Sequence, residues 1–415
     1  MESGTMKKVL IVSSHFPPLN SMAAKRYGYM CKYMEENGFI PYVLTKRARE
    51  GGYLNSKFDL EIPIEEEHIY KVGDLGIEYP IKKPFYNMVV YKYKKCNVPS
   101  RIIDEESLGW YEKVKSDFDI KNVRNVDIVI GTFPSIENVL IAKYIAQKIH
   151  KPYIVEVRDL ISDYEENNQR DNKWQRREVY MEKKLLSKAA GIIAVTDGFS
   201  TILKHRYPFQ KVRTVYNGWE ENAERVEAKA TEEYIYYAGC LYEHRVESLE
   251  LLMDVIRENK LGIKLKIRSV GPEILEKKLK AYVALWNMQN QVEILKAAPE
   301  KIVLEEQNRA KINLIASSIH ASDKALMTTL PGKTFELIRL ENPVLAIVDE
   351  KSEIAEILTE AQKGVATSDK EVIASFIKTD YKRYEGYREE VNKYSRKNQA
   401  KELCCFLKNI LEERI

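Results

Sequence analysis

The chain has 415 residues, 44% of them hydrophobic and 31% charged, a balance that excludes a disordered or membrane-spanning chain; the length allows two or three domains. Lys and Arg number 66 against 62 Asp and Glu, a net charge of +4, which argues against nucleic acid as a partner. Five scattered cysteines without a C-x-x-C and six histidines without an H-E-x-x-H argue against a disulfide framework and a structural zinc site.

Lys7 and Lys8 precede only four apolar residues, Val9 to Val12. That run is too short for a signal-peptide core and reads as a first β-strand, so the expected compartment is the cytoplasm. Strands are then predicted over 7–13, 41–45, 126–131, 153–157, 191–196 and 212–216, separated by helical patterns at 22–37, 135–148, 174–187 and 198–205. The segment 46–120 breaks the rhythm, carries no clean period, and reads as irregular loops and short helices. An acidic stretch from Trp219 to Glu233 reads as a surface linker, after which the alternation restarts. Strands are predicted at 234–239, 264–269, 292–295, 311–316, 343–348 and 364–367, with helices at 247–259, 273–285, 300–308, 332–339, 352–360 and 370–377. Residues 384–415 read as one or two amphipathic helices with no strand after them. Strand–helix alternation of this kind builds parallel sheets, so two successive α/β domains of similar size are expected.

In open parallel sheets ligands bind beyond the carboxyl ends of the strands, at helix N-termini. Small, cationic or ionisable residues directly after strands are therefore the candidates. After the first strand come His15 and then Ser21, Ala23, Ala24, Lys25 and Arg26 entering a helix. Ser21 there fits either a close backbone approach to an anion or a plain helix cap. Arg158 and Asp159 follow the strand Y-I-V-E-V as an ion pair or a substrate contact. In the second half, Gly239 ends a strand and Arg245 lies a few residues on, where it can reach a phosphate as a bidentate donor or sit on a solvated helix face. The stretch Pro331-Gly332-Lys333-Thr334-Phe335-Glu336 is a turn running into a helix. Free amides of Gly332, Lys333 and Thr334, the helix dipole and the Lys333 ammonium suit a pyrophosphate. Glu336 is placed to accept hydrogen bonds from paired ribose hydroxyls, or to compensate the helix dipole.

Taken together, several stretches resemble GT-B-fold glycosyltransferases, in particular the retaining family 4 of bacterial polysaccharide synthesis. They are K-K-V-L-I-V-S-S-H-F-P-P, D-E-E-S-L-G-W (104–110), V-D-I-V-I-G-T-F-P-S-I-E-N (126–138), V-E-V-R-D-L (155–160), the stretch 182–196, V-Y-N-G (215–218), A-G-C-L-Y-E-H-R (238–245) and P-G-K-T-F-E-L-I-R-L-E-N-P-V-L-A (331–346). The resemblance implies two Rossmann-like parallel-sheet domains facing across a cleft: an acceptor domain, residues 1–217, and a donor domain, residues 218–383. A C-terminal helix within 384–415 would cross back to the first domain. It implies transfer of a sugar from a UDP- or GDP-sugar to a glycan or lipid-linked acceptor. Arg245 and Lys333 would neutralise the donor diphosphate, and Glu336 would hold the ribose. Gly239, Pro331, Gly332 and Thr334 would line the donor, and the turn around Ala297, between Leu295 and Pro299, would present backbone to the nucleobase. His15, Ser21, Arg26, Arg158 and Asp159 would lie near the sugar or acceptor, with Asp159 orienting the acceptor hydroxyl. The chain departs from the family pattern at Thr328, where a glutamate usually stands eight residues before Glu336, and at Cys240, where many relatives carry an arginine.

The only D-x-D, Asp117-Phe118-Asp119, reads as a solvated loop, so no metal and no cofactor are expected and the departing phosphate's charge falls to Arg245 and Lys333. The interval 80–101 carries six basic residues and no acidic one, interleaved with aromatic and aliphatic residues. It suits peripheral contact with an anionic membrane, a lipid-linked acceptor, or a packed tyrosine-rich subdomain. Two other readings stand beside transfer: a GT-B-fold nucleotide-sugar epimerase, and a non-catalytic nucleotide-sugar-binding partner of another transferase.

Overall fold

The computed structural model describes residues 6–48, 60–76, 105–162, 179–180, 182–221, 233–322 and 324–413. The interval 80–101 and most of the predicted helix 174–187 lie outside them. The chain forms two compact units, residues 1–217 with 396–415, and residues 218–395.

The first unit is a seven-stranded sheet in the order β3-β2-β1-β4-β5-β6-β7, parallel throughout. Its strands are β1 (Lys7–Val12), β2 (Phe39–Arg47), β3 (Ile69–Asp74), β4 (Ile128–Phe133), β5 (Tyr153–Val157), β6 (Gly191–Ala194) and β7 (Val212–Thr214). Both faces are covered, which is why the central strands read as unbroken apolar runs. Leu10 and Val12 of β1 face one core with Trp110, Val139 and Ile145. Val9 and Ile11 face the other, with Tyr27, Met30, Leu403 and Leu407. Leu403 and Leu407 belong to the terminal helix Arg396–Glu412, which packs on this unit beside the helix Met22–Met30.

Strand β3 falls inside the segment read as irregular loops and short helices, which corrects that expectation, and the helix Glu105–Asp117 lies in the same segment. β3 is an edge strand in which only Ile69, Val72 and Gly73 are buried, too few apolar residues to show a period. The expected long helix at 22–37 stops at Met30 and continues as two 3₁₀ turns, ended by Gly38 in the left-handed region at φ 86°.

The second unit is a six-stranded parallel sheet, β10-β9-β8-β11-β12-β13. Here β8 is Tyr234–Cys240, β9 Lys264–Val270, β10 Val292–Leu295, β11 Ile312–Ala316, β12 Val344–Ile347 and β13 Gly364–Thr367. The chain leaves this unit at Ser395, not at Tyr384 as the sequence pattern implied. Lys363, fully buried, donates to the carbonyls of Glu341, Tyr384 and Gly386, and Trp219 Nε1 donates to Val391 O at 3.0 Å. Those bonds hold residues 384–394 on the second unit, with 3₁₀ turns at Asp380–Tyr384 and Glu389–Tyr394, and the terminal helix begins only at Arg396. No helix among the described residues is long and apolar enough to cross a membrane.

Candidate active site

The donor candidates gather at the carboxyl end of β8. The half-buried Lys333 sends its Nζ to Ala238 O at 3.1 Å and lies 3.7 Å from the centre of the Tyr237 ring. Gly239 makes room for it: a Cβ at that position would sit 3.2 Å from both Lys333 Nζ and the Tyr237 hydroxyl. Arg245 lies on the first turn of the helix Glu243–Glu258, its Nη1 on Cys240 O at 3.1 Å and its guanidinium 4.8 Å from the centre of the Tyr242 ring. The Arg245 Nε is buried without a hydrogen-bond partner among the described residues. Burial first, and then the Arg245 charge, push the Lys333 pKa well below the ordinary lysine value. Two cations held this close repel each other, and an anion between them relieves that repulsion. Tyr237, whose hydroxyl donates to Cys240 O at 2.9 Å, is pushed up to about 12 by burial and remains a neutral phenol.

The Pro331-Gly332 turn has a different shape from the one expected. Gly332 is the N-cap of a helix of only six residues, Lys333–Ile338, so the dipole contribution is small. The Thr334 amide, expected to be free, donates to Pro331 O at 2.9 Å. The Thr334 hydroxyl is fully buried and has no partner among the described residues. Glu336 is braced by Arg339 Nε on its Oε2 at 3.2 Å. Thr328 and Thr329 both turn their hydroxyls back onto Ala325 O, at 3.2 and 2.8 Å. Ala297 is exposed just beyond β10.

In the first unit, His15, Lys46 and Arg158 occupy the carboxyl ends of β1, β2 and β5. The Ser14 hydroxyl and His15 Nδ1 are 3.0 Å apart, and Ser14 N donates to Asn138 Oδ1 at 3.1 Å. Burial, then Arg158, then Lys46 push His15 down to about 4, so its ring is neutral at physiological pH. Arg158 donates from Nη2 to Pro134 O at 2.9 Å, and its Nε is buried without a partner among the described residues. Burial raises the Asp159 pKa, with Arg158 working against it. Ser21 is the N-cap of the helix Met22–Met30, accepting from Ala24 N at 3.2 Å.

Arg26 is placed elsewhere than the sequence implied. Only 2% exposed, it donates from Nε to Glu156 at 2.8 Å, from Nη1 to Tyr216 O and Asn217 Oδ1, and from Nη2 to Val215 O at 2.9 Å. Tyr27 donates to the same Glu156 oxygen at 2.9 Å. All three guanidinium nitrogens are engaged inside the fold, so Arg26 is a positioning residue for residues 215–217 and not a ligand to an acceptor. The missed partner was signalled by Glu156, a carboxylate in the middle of an otherwise apolar strand, which burial forbids without a cation.

The D-x-D carboxylates serve local structure. Asp117 takes Lys113 Nζ at 2.6 Å, and Asp119 caps a 3₁₀ turn through Lys121 N at 2.9 Å.

Two Rossmann-like parallel-sheet units, with a terminal helix returned to the first, define the GT-B fold. No protein-family profile and no curated protein matches the sequence. Solved structures do. A glycosyltransferase from Rickettsia africae is 16% identical over 99% of this chain and 100% of its own, with a TM-score of 0.61. Anabaena HepE in complex with UDP and glucose is 10% identical over 98% of both chains, with a TM-score of 0.57. Sucrose-phosphate synthase from Thermosynechococcus elongatus is 12% identical over 98% of this chain and 97% of its own, with a TM-score of 0.58. At such identities the likeness speaks for the fold.

Proposed function

We propose that this protein is a glycosyltransferase that moves a sugar from a nucleoside-diphosphate sugar to a glycan or lipid-linked acceptor, with retention and without a metal, in the manner of family 4. The observation that carries the reading is the pair of cations at the end of β8, Lys333 on Ala238 O and Arg245 on Cys240 O, with a buried Arg245 Nε that has no partner among the described residues. The chemical difficulty in sugar transfer is the negative charge that grows on the departing diphosphate as the glycosidic bond breaks. Preorganised cations at that oxygen stabilise the transition state more than the ground state. In a retaining reaction the acceptor attacks from the face the phosphate leaves, so the leaving oxygen itself accepts the hydroxyl proton. Asp159, its pKa raised by burial, orients the acceptor, and Glu336 braced by Arg339 receives the ribose hydroxyls. Anabaena HepE, which shares the fold, binds UDP and glucose. The unit of residues 1–217 with 396–415 would carry the acceptor and the unit of residues 218–395 the donor.

A panel of UDP- and GDP-sugars in a thermal-shift assay, followed by incubation with and without glycan or lipid acceptors, tests the reading. Acceptor-dependent release of nucleoside diphosphate supports transfer. Interconversion of the free donor would show an epimerase instead, and binding without turnover a non-catalytic partner.

A further inference from the structure

The donor reading leaves a charged cluster beside strands β8, β9 and β10 without a task. Arg268 on β9 lies opposite Ala238 of β8 on one side and Leu295 of β10 on the other, in a single register row. Ala238 supplies the carbonyl that holds Lys333, and Leu295 is the last residue of β10 before the exposed turn at Ala297. Arg268 thus stands midway between the two ends of the donor site, which are separated by two interstrand spacings, roughly 10 Å.

Its hydrogen bonds reach the turn directly. Nη1 donates to Lys296 O, the first residue of the turn. Nε and Nη2 form a fork on the Glu306 carboxylate, at 2.7 and 2.5 Å. Glu306 lies on the helix Glu300–Arg309, which begins directly after Pro299, and it also accepts from the Tyr236 hydroxyl of β8. One guanidinium therefore ties the carbonyl that opens the turn to the helix that closes it, and Tyr236 ties that helix to the strand bearing the phosphate end. Burial works against a charged Glu306, yet the hydrogen bonds from Arg268 and Tyr236 outweigh it and hold its pKa below the usual glutamate range. Both partners are charged, as a fork of this kind requires.

We propose that Arg268, locked by Glu306, is the positioning residue that sets the Leu295–Pro299 turn in register with the phosphate-binding end of β8, so that the turn's backbone reads the donor's nucleobase at a fixed distance from the diphosphate. This rests on the donor-site reading. The cluster touches no phosphate ligand, so its loss weakens recognition of the nucleoside and leaves recognition of the diphosphate intact. Lysine in place of Arg268 keeps the charge but cannot form the fork on Glu306 while reaching Lys296 O.

The test measures binding of UDP and of inorganic pyrophosphate, by calorimetry on the full chain, for the wild type, Arg268→Lys and Glu306→Gln, with a melting curve for each. The expected result is UDP binding weakened tenfold or more in both variants, with pyrophosphate binding within twofold of wild type. Equal loss of both ligands, or no loss of UDP, overturns the proposal. So does failure of both variants to melt cooperatively, which would make the cluster purely structural. A wild type that binds neither ligand defeats the donor reading itself, a result distinct from any change in the ratio.

Discussion

Replacing Lys333 by Met probes the phosphate end of the site with little disturbance to the fold. The ammonium gives up one hydrogen bond, to Ala238 O, and its contact with the Tyr237 ring, and the thioether keeps most of the apolar packing. A charge-assisted hydrogen bond to phosphate contributes about 1.5–3 kcal/mol, and every 1.4 kcal/mol is tenfold in affinity. UDP should therefore bind the variant about 10- to 150-fold more weakly. The pH dependence has a definite sign. Free Lys333 has its pKa pushed well below the ordinary value by burial and by Arg245, and an arriving diphosphate raises it again. Between the two values binding takes up a proton, so wild-type affinity falls as pH rises through that window. Calorimetry in buffers of different ionisation heat counts the proton, which should vanish in Lys333→Met. A variant that binds UDP within twofold of wild type, with the same proton count, would refute the assignment of Lys333 to the diphosphate.

Arg26→Met strands Glu156 as an unpaired buried carboxylate and should destabilise the first unit by about 3–5 kcal/mol, read as a lowered urea midpoint; adding Glu156→Gln should recover part of the loss. His15 titrates at about 4 when folded and near the ordinary 6.5 when unfolded, so the unfolded chain binds more protons between those values. Stability from this group is complete above pH 6.5 and is lost as pH falls toward 4, a slope in melting temperature that His15→Gln should flatten. Gly239→Ala places a methyl 3.2 Å from Lys333 Nζ and should weaken UDP binding while the melting temperature holds; unchanged UDP affinity would place the phosphates away from Gly239.

Much of the architecture was legible because parallel strands buried on both faces leave dense β-branched runs. Tyr153–Val157, Val292–Leu295 and Gly364–Thr367 begin and end where the sequence puts them. Strand β3 was hidden because an edge strand needs few apolar residues, and its Lys71, Gly73 and Asp74 read as loop. In the site, Arg245 was visible as a cation a few residues past a strand, and Lys333 as a cation in a turn running into a helix. The shape of the Pro331-Gly332 turn was not, because a proline-glycine pair announces a turn without fixing how many helical residues follow. Arg26 looked like a ligand because an arginine early in a helix after a strand is usually accessible; only pairing across 130 residues with Glu156 reveals its role. The Arg268–Glu306 fork was invisible for the same reason, since its partners lie on different elements and share no local motif.

The terminal helix Arg396–Glu412 supplies Leu403, Phe406, Leu407 and Ile410 to the core of the first unit, which otherwise ends at Asn217. That unit is therefore written in two pieces separated by the whole of the other. On the ribosome its sheet is made first yet must wait with an apolar face uncovered until residues 396–412 have emerged. The later-made unit is contiguous and can finish folding before the earlier one, the reverse of the usual order of synthesis. A nascent chain arrested after Ser395 should thus expose a sticky surface on its older half and engage chaperones there.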